Sequence, residues 1–313
     1  MAHPILGLHH VTATVDDAQA DLDFCLQRLA LRLVKKTVNF DNHNVYHFYY
    51  GTERGAPGTI WTTFPYKGHG VRMGARGAGQ IVTTSFSVPR QAMSFWHERL
   101  DGAGVATTAV DSGFGESTLQ FKDPSGLDFS LVGADADDRE PWAGGDADRS
   151  VAVRGLHSVT LLVRALDPTI DFMSSVLGYT VAGRTADRAR LVVSGDRPGH
   201  RIDLVANPQA PIAANGIGTV HHVAMAIATE EQQLALRRDL VDAGVQVTPV
   251  MDRCYFRSIY FREPGGVLFE VATMQPGFMI DEPIDALGRD LKLPPWEEPN
   301  RRTIETHLPA VTY

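Results

Sequence analysis

"GLHHVTATVDDAQADLDFCLQRLALRL", residues 7 to 33, returns at 155 to 181 as "GLHSVTLLVRALDPTIDFMSSVLGYTV". The two stretches share a strand opening, an Asp-Phe pair inside a helical pattern and a restarting strand at one constant offset, which marks a duplication. Residues 79–132 and 218–272 form a second pair. Their ends, "STLQFKDPSGLDFSLV" and "RSIYFREPGGVLFEVA", match almost position for position around a turn. Helix signals fall between the strands. Pro89 is expected at a first helical position, Asp167 as a cap ahead of Pro168, and Thr229 with Gln232 as a capping box closing near Gly244. Each unit therefore reads as βαβββ, and four of them predict an α+β chain in two tandem domains, residues 5–133 and 152–275. The acidic, Gly- and Pro-rich segment 133–150 reads as a linker. Residues 276–313 read as an extended tail laid over the surface and tied down by Trp296.

The repeats act as an internal control on the paired histidines of "HHVTATV" and "HHVAMAI". Strand alternation puts His10, Thr12 and Thr14 on one face and Val11, Ala13 and Val15 on the other, and it puts His222 and Ala224 opposite Val223, Met225 and Ile227. The apolar face must cover the helices, so His10 and His222 look into the concave side. In their column the other units carry Thr83 and Ser158. In the closing strand Glu270 stands where units two and three carry Ser130 and Asp203. Two imidazoles and a carboxylate on one buried face suit a divalent cation, in the facial arrangement of non-haem Fe(II) oxygenases. The plainer alternative is a pair of satisfied core histidines, with Glu270 paired to an arginine. Alternation sends His9 and His221 to the helix side unless a bulge intervenes. His157 shares their column without a ligand-type neighbour and reads as structural.

At these residues the sequence resembles the vicinal oxygen chelate superfamily and, within it, the ring-cleaving dioxygenases of hydroquinones. The resemblance rests on "GLHHVTA", "YYGTERGAPGTIWTTFP", "GLHSVTLLV", "TVHHVAMA", "GGVLFEVATMQPGF" and "LGRDLKLPPWEEPNRRTIE", and so covers nearly the whole chain. It implies cupped mixed sheets and a site made by units one and four. Fe(II), with Mn(II) as the alternative ion, would be bound by His10, His222 and Glu270. His9, Thr12, His221, Arg253 and Tyr260 would line the site. Parity supports Tyr260, which shares a face with Ser258. The expected reaction inserts both atoms of O2 into a small aromatic diol.

Two rival activities remain on the same scaffold. A catechol extradiol dioxygenase would require His157 beside His222. A glyoxalase-type isomerase or lyase would present a fourth protein ligand where the spare columns carry Ser130 and Ser158. A metal-free binding module would have no reason to gather His10, His222 and Glu270.

The 313 residues are 43% hydrophobic and 21% charged, with a formal charge of −8, the composition of an ordinary globular protein. No basic block supplies a footprint for nucleic acid or an anionic membrane, and no apolar run approaches a membrane span. "MAHPILG" lacks signal-peptide regions, so a cytoplasmic location is expected, as is a homo-oligomer. Cys25 and Cys254 are too few for a disulfide framework, and Cys25 is expected buried and inert.

Overall fold

Each of the four repeats folds as a strand, a helix and three further strands in a computed structural model that describes residues 5–111 and 113–313. The first unit comprises β1 (Ile5–Val15), α1 (Ala18–Asp23), β2 (Arg32–Asn39), β3 (Asn42–Gly51) and β4 (Ile60–Pro65). The second comprises β5 (Gln80–Pro89), α2 (Met93–Gly102), β6 (Thr108–Asp111), β7 (Ser117–Lys122) and β8 (Asp128–Ala134). The third comprises β9 (Gly155–Val163), α3 (Asp167–Ser175), β10 (Thr180–Arg184), β11 (Arg188–Val192) and β12 (Arg201–Ala206). The fourth comprises β13 (Thr219–Ile227), α4 (Glu230–Asp242), β14 (Met251–Asp252), β15 (Arg257–Arg262) and β16 (Leu268–Thr273).

In every unit the first strand runs parallel to the last, leaving its other edge open. An open edge carries unpaired amides, and here each pairs antiparallel with the first strand of another unit: β1 with β13, and β5 with β9. Two curled eight-stranded sheets result, ordered β14-β15-β16-β13-β1-β4-β3-β2 and β10-β11-β12-β9-β5-β8-β7-β6. Unit one thus shares a sheet with unit four, and unit two with unit three. Neither 5–133 nor 152–275 makes a sheet of its own. One continuous apolar core, including Val11, Trp61, Phe129, Val159 and Phe269, runs through both sheets and their helices.

The repeated Gly-Leu-His opening is explained where the two sheets meet. Gly7 and Gly155 hold φ of +131° and +137°, and a Cβ on either would come within 2.8 Å of the carbonyl oxygen of Gly199 or Gly58. Next to them, Leu8 N–H donates to Gly199 O (2.7 Å) and Leu156 N–H to Gly58 O (2.8 Å). The segment after β8 has no regular structure, as expected of a linker, yet it is anchored: Arg139 donates to Gly58 O at 2.8 Å and to Leu156 O at 2.9 Å.

Several local expectations are corrected. Asp167 begins α3 rather than capping it, and its carboxylate accepts from Arg184 instead. Pro89 closes β5 and precedes a short 3-10 turn leading into α2. Thr229 does cap α4, accepting from Gln232 N–H at 3.3 Å, but the Gln232 side-chain oxygen makes no return bond. The tail is not simply extended, because it contains three 3-10 turns and α5 (Arg301–His307). Trp296 is 49% exposed and rests edge-on against Phe40. The tail is held instead by buried Phe278, Leu287, Leu293 and Ile304, and by Lys35 of β2, fully buried and bound to Asp281 and Glu282. Among the described residues no helix is long and apolar enough to cross a membrane.

Candidate metal centre

Where β1 meets β13, the register slips three times, and two of the slips fall at the paired histidines. Leu8 faces Met225 and His10 faces Ala224, so His9 is the extra residue of β1. Thr12 faces His222 and Ala13 faces Val220, so His221 is the extra residue of β13. In the other sheet the same columns slip at Val82 and His157. A bulge re-aims side chains that alternation would separate. It brings His9 Nδ1 to 2.9 Å from His10 Nδ1, and His221 Nδ1 to 2.7 Å from His222 Nδ1.

His10, His222 and Glu270 converge at one point, all buried, with Glu270 completely inaccessible. The separations are 3.3 Å between the two Nε2 atoms, 3.2 Å from His10 Nε2 to Glu270 Oε2, and 2.7 Å from His222 Nε2 to that oxygen. One triangular face of an octahedron built on bonds of about 2.1 Å has edges of about 3 Å, so the triad fits a six-coordinate ion. The hydrogen-bond inventory agrees. Ser258 donates to Oε1, whereas buried Oε2 receives no hydrogen bond although two ring nitrogens face it. Burial opposes ionisation of Glu270, but the His10 and His222 imidazoles outweigh it and hold the carboxyl well below its usual range. Burial in turn lowers His222, with Glu270 acting in the opposite direction.

A ring nitrogen that ligates a metal must offer a lone pair, so the hydrogen of a neutral ligand histidine sits on the other nitrogen. His10 and His222 would each then donate Nδ1–H to Nδ1 of the histidine before it. His9 and His221 suit that role, both pushed down to about 3, by burial first and then by the neighbouring imidazole. His221 borders the pocket, whereas His9 lies behind His10 with its ring edge-on to Phe256.

The triad opens into a pocket of about 390 Å³ walled by Tyr49, Phe64, Phe256 and Tyr260. Arg253 crosses its rim, donating from Nε to Tyr260 OH (3.1 Å) and from both terminal nitrogens to Asp41 (3.1 and 3.3 Å). Burial raises the Tyr260 phenol far above its usual value, with Glu270 adding to the shift. The Thr12 hydroxyl accepts from Thr62, and His47 Nε2 lies 2.9 Å from Thr62 Oγ1.

Residues 155–271 match the Glyoxalase/Bleomycin resistance protein/Dioxygenase superfamily. A Bacillus subtilis (strain 168) protein provisionally named ring-cleaving dioxygenase MhqO is 42% identical over 308 residues, 98% of this chain and 97% of that one. The chlorohydroquinone/hydroquinone 1,2-dioxygenase of Sphingobium indicum is 37% identical over 92% of this chain and 91% of its own. The crystal structure of a provisionally named dioxygenase from Bacillus subtilis subsp. subtilis str. 168 superposes with a TM-score of 0.94 at 41% identity, covering 99% of each chain. The chain belongs to the glyoxalase/bleomycin resistance/dioxygenase superfamily. Its place there is among the ring-cleaving dioxygenases, so it is an oxidoreductase.

Within this dioxygenase the second sheet is a built-in control. At the place of Glu270 it carries Asp203, and at the place of Tyr260 it carries Arg190, whose guanidinium binds Asp203 through two bonds (2.7 and 2.8 Å) and Glu116 through two more (2.7 and 2.9 Å). An internal cation thus sits where the first sheet leaves carboxylate oxygen unpaired. His157 is bonded to Ser158, Glu116 and Arg201 in that second sheet, away from His222. Ser130 and Ser158 also belong there. The column that completes the first cup is held by Thr62, which pairs with Thr12 as Glu270 pairs with Ala224. That correction follows from which units share a sheet.

Asp41, Thr62 and Phe256 were not among the residues singled out from the sequence. His47 had a signal: in "YHFYY" it alternates with Tyr49 on one face, while Tyr46, Phe48 and Tyr50 take the other and join the core.

Proposed function

We propose that this enzyme opens a hydroquinone-type aromatic ring by inserting both atoms of O2, with Fe(II) held by His10, His222 and Glu270. The observation that carries this reading is the buried Glu270 Oε2, which the His222 and His10 Nε2 atoms face at 2.7 and 3.2 Å and which has no hydrogen-bond partner. Its chemistry suits an ion better than a satisfied core triad. Similarity to the hydroquinone 1,2-dioxygenase supports the substrate class. When bound, Fe(II) supplies open positions for one phenolic oxygen and for O2, and it acidifies the phenol it holds; Mn(II) would fit the same donors.

The chain's own residues supply the rest. His9 and His221 stay neutral and fix the ligand tautomers instead of carrying protons near pH 7. Tyr260 donates a hydrogen bond to a substrate oxygen. Arg253, aligned by Asp41 and Tyr260, offsets negative charge as it develops, a role whose loss costs about 10²-fold or more in turnover where it has been tested in other enzymes. Thr12 presents its hydroxyl beside the metal ligands. The aromatic walls exclude water and stack on the ring.

Two observations weigh against the rival activities. A catechol site using His157 would need that residue in the first sheet, and it lies in the second, fully engaged. An isomerase-type fourth ligand would stand at Thr62, a hydroxyl already bonded to Thr12. The deciding experiment is oxygen uptake by anaerobically Fe(II)-loaded protein given hydroquinone and then catechol, with His10→Ala as control. Uptake with hydroquinone that the variant loses supports the proposal. Uptake with catechol alone overturns the substrate, and bound metal with no uptake from either diol overturns the reaction.

A further inference from the structure

The second sheet curls round a cavity of its own, of about 410 Å³, much the size of the pocket beside the triad. Strand parity fixes what faces it. On β5, β8 and β9, Phe86, Phe129, Leu131, Val159 and Leu161 belong to the core. Thr83, Ser85, Ser130, Ser158 and Thr160 therefore stand on the opposite, concave face, and all five line the cavity. Ser158 pairs with Ser85 and Ser85 with Ser130, a row of hydroxyls on neighbouring strands about 4.8 Å apart. Thr83 pairs with Thr160 in the next row. Ser158, Thr83 and Ser130 occupy the columns in which the first cup carries His10, His222 and Glu270.

Thr83, Ser85 and Ser130 are only 8, 6 and 2% exposed, yet none has a hydrogen-bond partner among the described residues. Unlike Thr84 Oγ1, which is unpartnered and wholly inaccessible on the core side, these three hydroxyls keep contact with the cavity. Charges on the walls balance, with Arg76, Arg188 and Arg190 against Asp111, Glu116 and Asp203. Arg190 is committed to Asp203 and Glu116, and Arg76 to Asp128. Among the described residues the one aromatic ring of the lining is Phe114, already stacked on Arg190 at 4.2 Å, where the first pocket has four aromatic walls.

A buried hydroxyl without a protein partner must bond to whatever fills the cavity. Water can do so, and a ligand competes with water only if its own groups reproduce those bonds. Serine and threonine hydroxyls both donate and accept, as the hydroxyls of an alcohol do, whereas an anion only accepts and a metal ion calls for imidazole, thiolate or carboxylate donors. We propose that the second cup is a binding site for a neutral, polyhydroxylated molecule the size of one six-membered ring, held by Thr83, Ser85 and Ser130. The site is separate from the metal-type triad and stands whatever reaction occurs there.

The test is calorimetry on the full chain with myo-inositol and glucose, against cyclohexanol, which keeps the ring and one hydroxyl, and inorganic phosphate. The wild type should bind at least one of the two polyols with a Kd of about 1 mM or tighter, and both comparison compounds at least about tenfold more weakly. The double variant Ser85→Ala, Ser130→Ala should lose about tenfold in polyol affinity, the scale of two net hydrogen bonds, with iron content unchanged. Thr83→Val keeps the side-chain shape without the hydroxyl and should cost about threefold; it carries the test if the double variant does not fold. Polyol affinity undiminished in these variants would put binding elsewhere on the surface and overturn the assignment. Neither polyol binding the wild type, or phosphate or cyclohexanol binding as well as the polyols, overturns it too.

Discussion

Glu270 shows what a single residue contributes to this site. A carboxylate with no solvent exposure is costly to bury, and here one oxygen takes the Ser258 hydroxyl while the other faces two imidazoles. Glu270→Gln should therefore fold and lose metal: iron per chain should drop at least tenfold, and the rise in Tm that Fe(II) gives the wild type should vanish. An unchanged thermal response would place the ion elsewhere. His9 and His221 give a pH prediction. Both are held at about 3 in the fold, against about 6.5 for a free histidine, so below pH 6.5 the unfolded chain binds more protons than the folded one. Metal-free protein should be most stable above pH 6.5 and lose stability as pH falls toward 3. Asp21 and Asp123, raised to about 6 and about 7 by burial, act in the opposite sense over part of that range. The differential measurement is a denaturation midpoint against pH for wild type and His221→Asn. The variant should show the shallower acid decline, and identical slopes would remove His221 from the account. The ligand types and their columns were legible in the sequence, because four copies of one strand expose the two that differ. The orientations of His9 and His221 were not, since a bulge arises only when two strands set their register.

At the scale of elements, strands were readable from alternation, and three of the four unit helices carried recognisable signals in the sequence. What failed were details that depend on a neighbour: Asp167 turns to Arg184 instead of capping α3. The tail failed for the same reason. "LPPWEEPNRRTIETHLP" suggests extended chain, yet α5 forms because Ile304 is fully buried in the main core. Its partner anchor is Lys35, buried in β2 and bound to Asp281 and Glu282 with Tyr255 beside it (5.0 Å). Lys35→Met should strand the nearly inaccessible Glu282 carboxylate, destabilise the protein by about 3–5 kcal/mol and open residues 276–313 to hydrogen exchange and proteolysis. Adding Glu282→Gln should restore most of that loss. A tail equally protected in the single variant would show that apolar contacts suffice to hold it.

Across the whole molecule, the outer units one and four share one sheet and the inner units two and three the other. The metal-type triad is consequently split in sequence, with His10 before the acidic segment and His222 and Glu270 after it. Chains cut near residue 143 should therefore bind no Fe(II) as separate halves, each also exposing the unpaired edges of its first strands. Co-expression should restore metal binding, measured as iron per complex. Stoichiometric iron in either half alone would refute a shared site. The same architecture explains why one cup has a candidate metal centre and the other does not: Arg190, between Asp203 and Glu116, already supplies the cation in the second.

The sequence by itself determined the fourfold βαβββ repeat, the apolar and polar faces of its strands, and the three residues whose types single out one face. These are local periodicities and column comparisons, and they survive without knowledge of what packs where. The tertiary structure alone decided which units share a sheet, where the strand registers slip to bring His9 and His221 against the ligands, and what anchors the tail. It also decided that His47 borders the pocket and bonds Thr62. Each of these depends on pairing between residues far apart in the chain, for which local pattern carries no information.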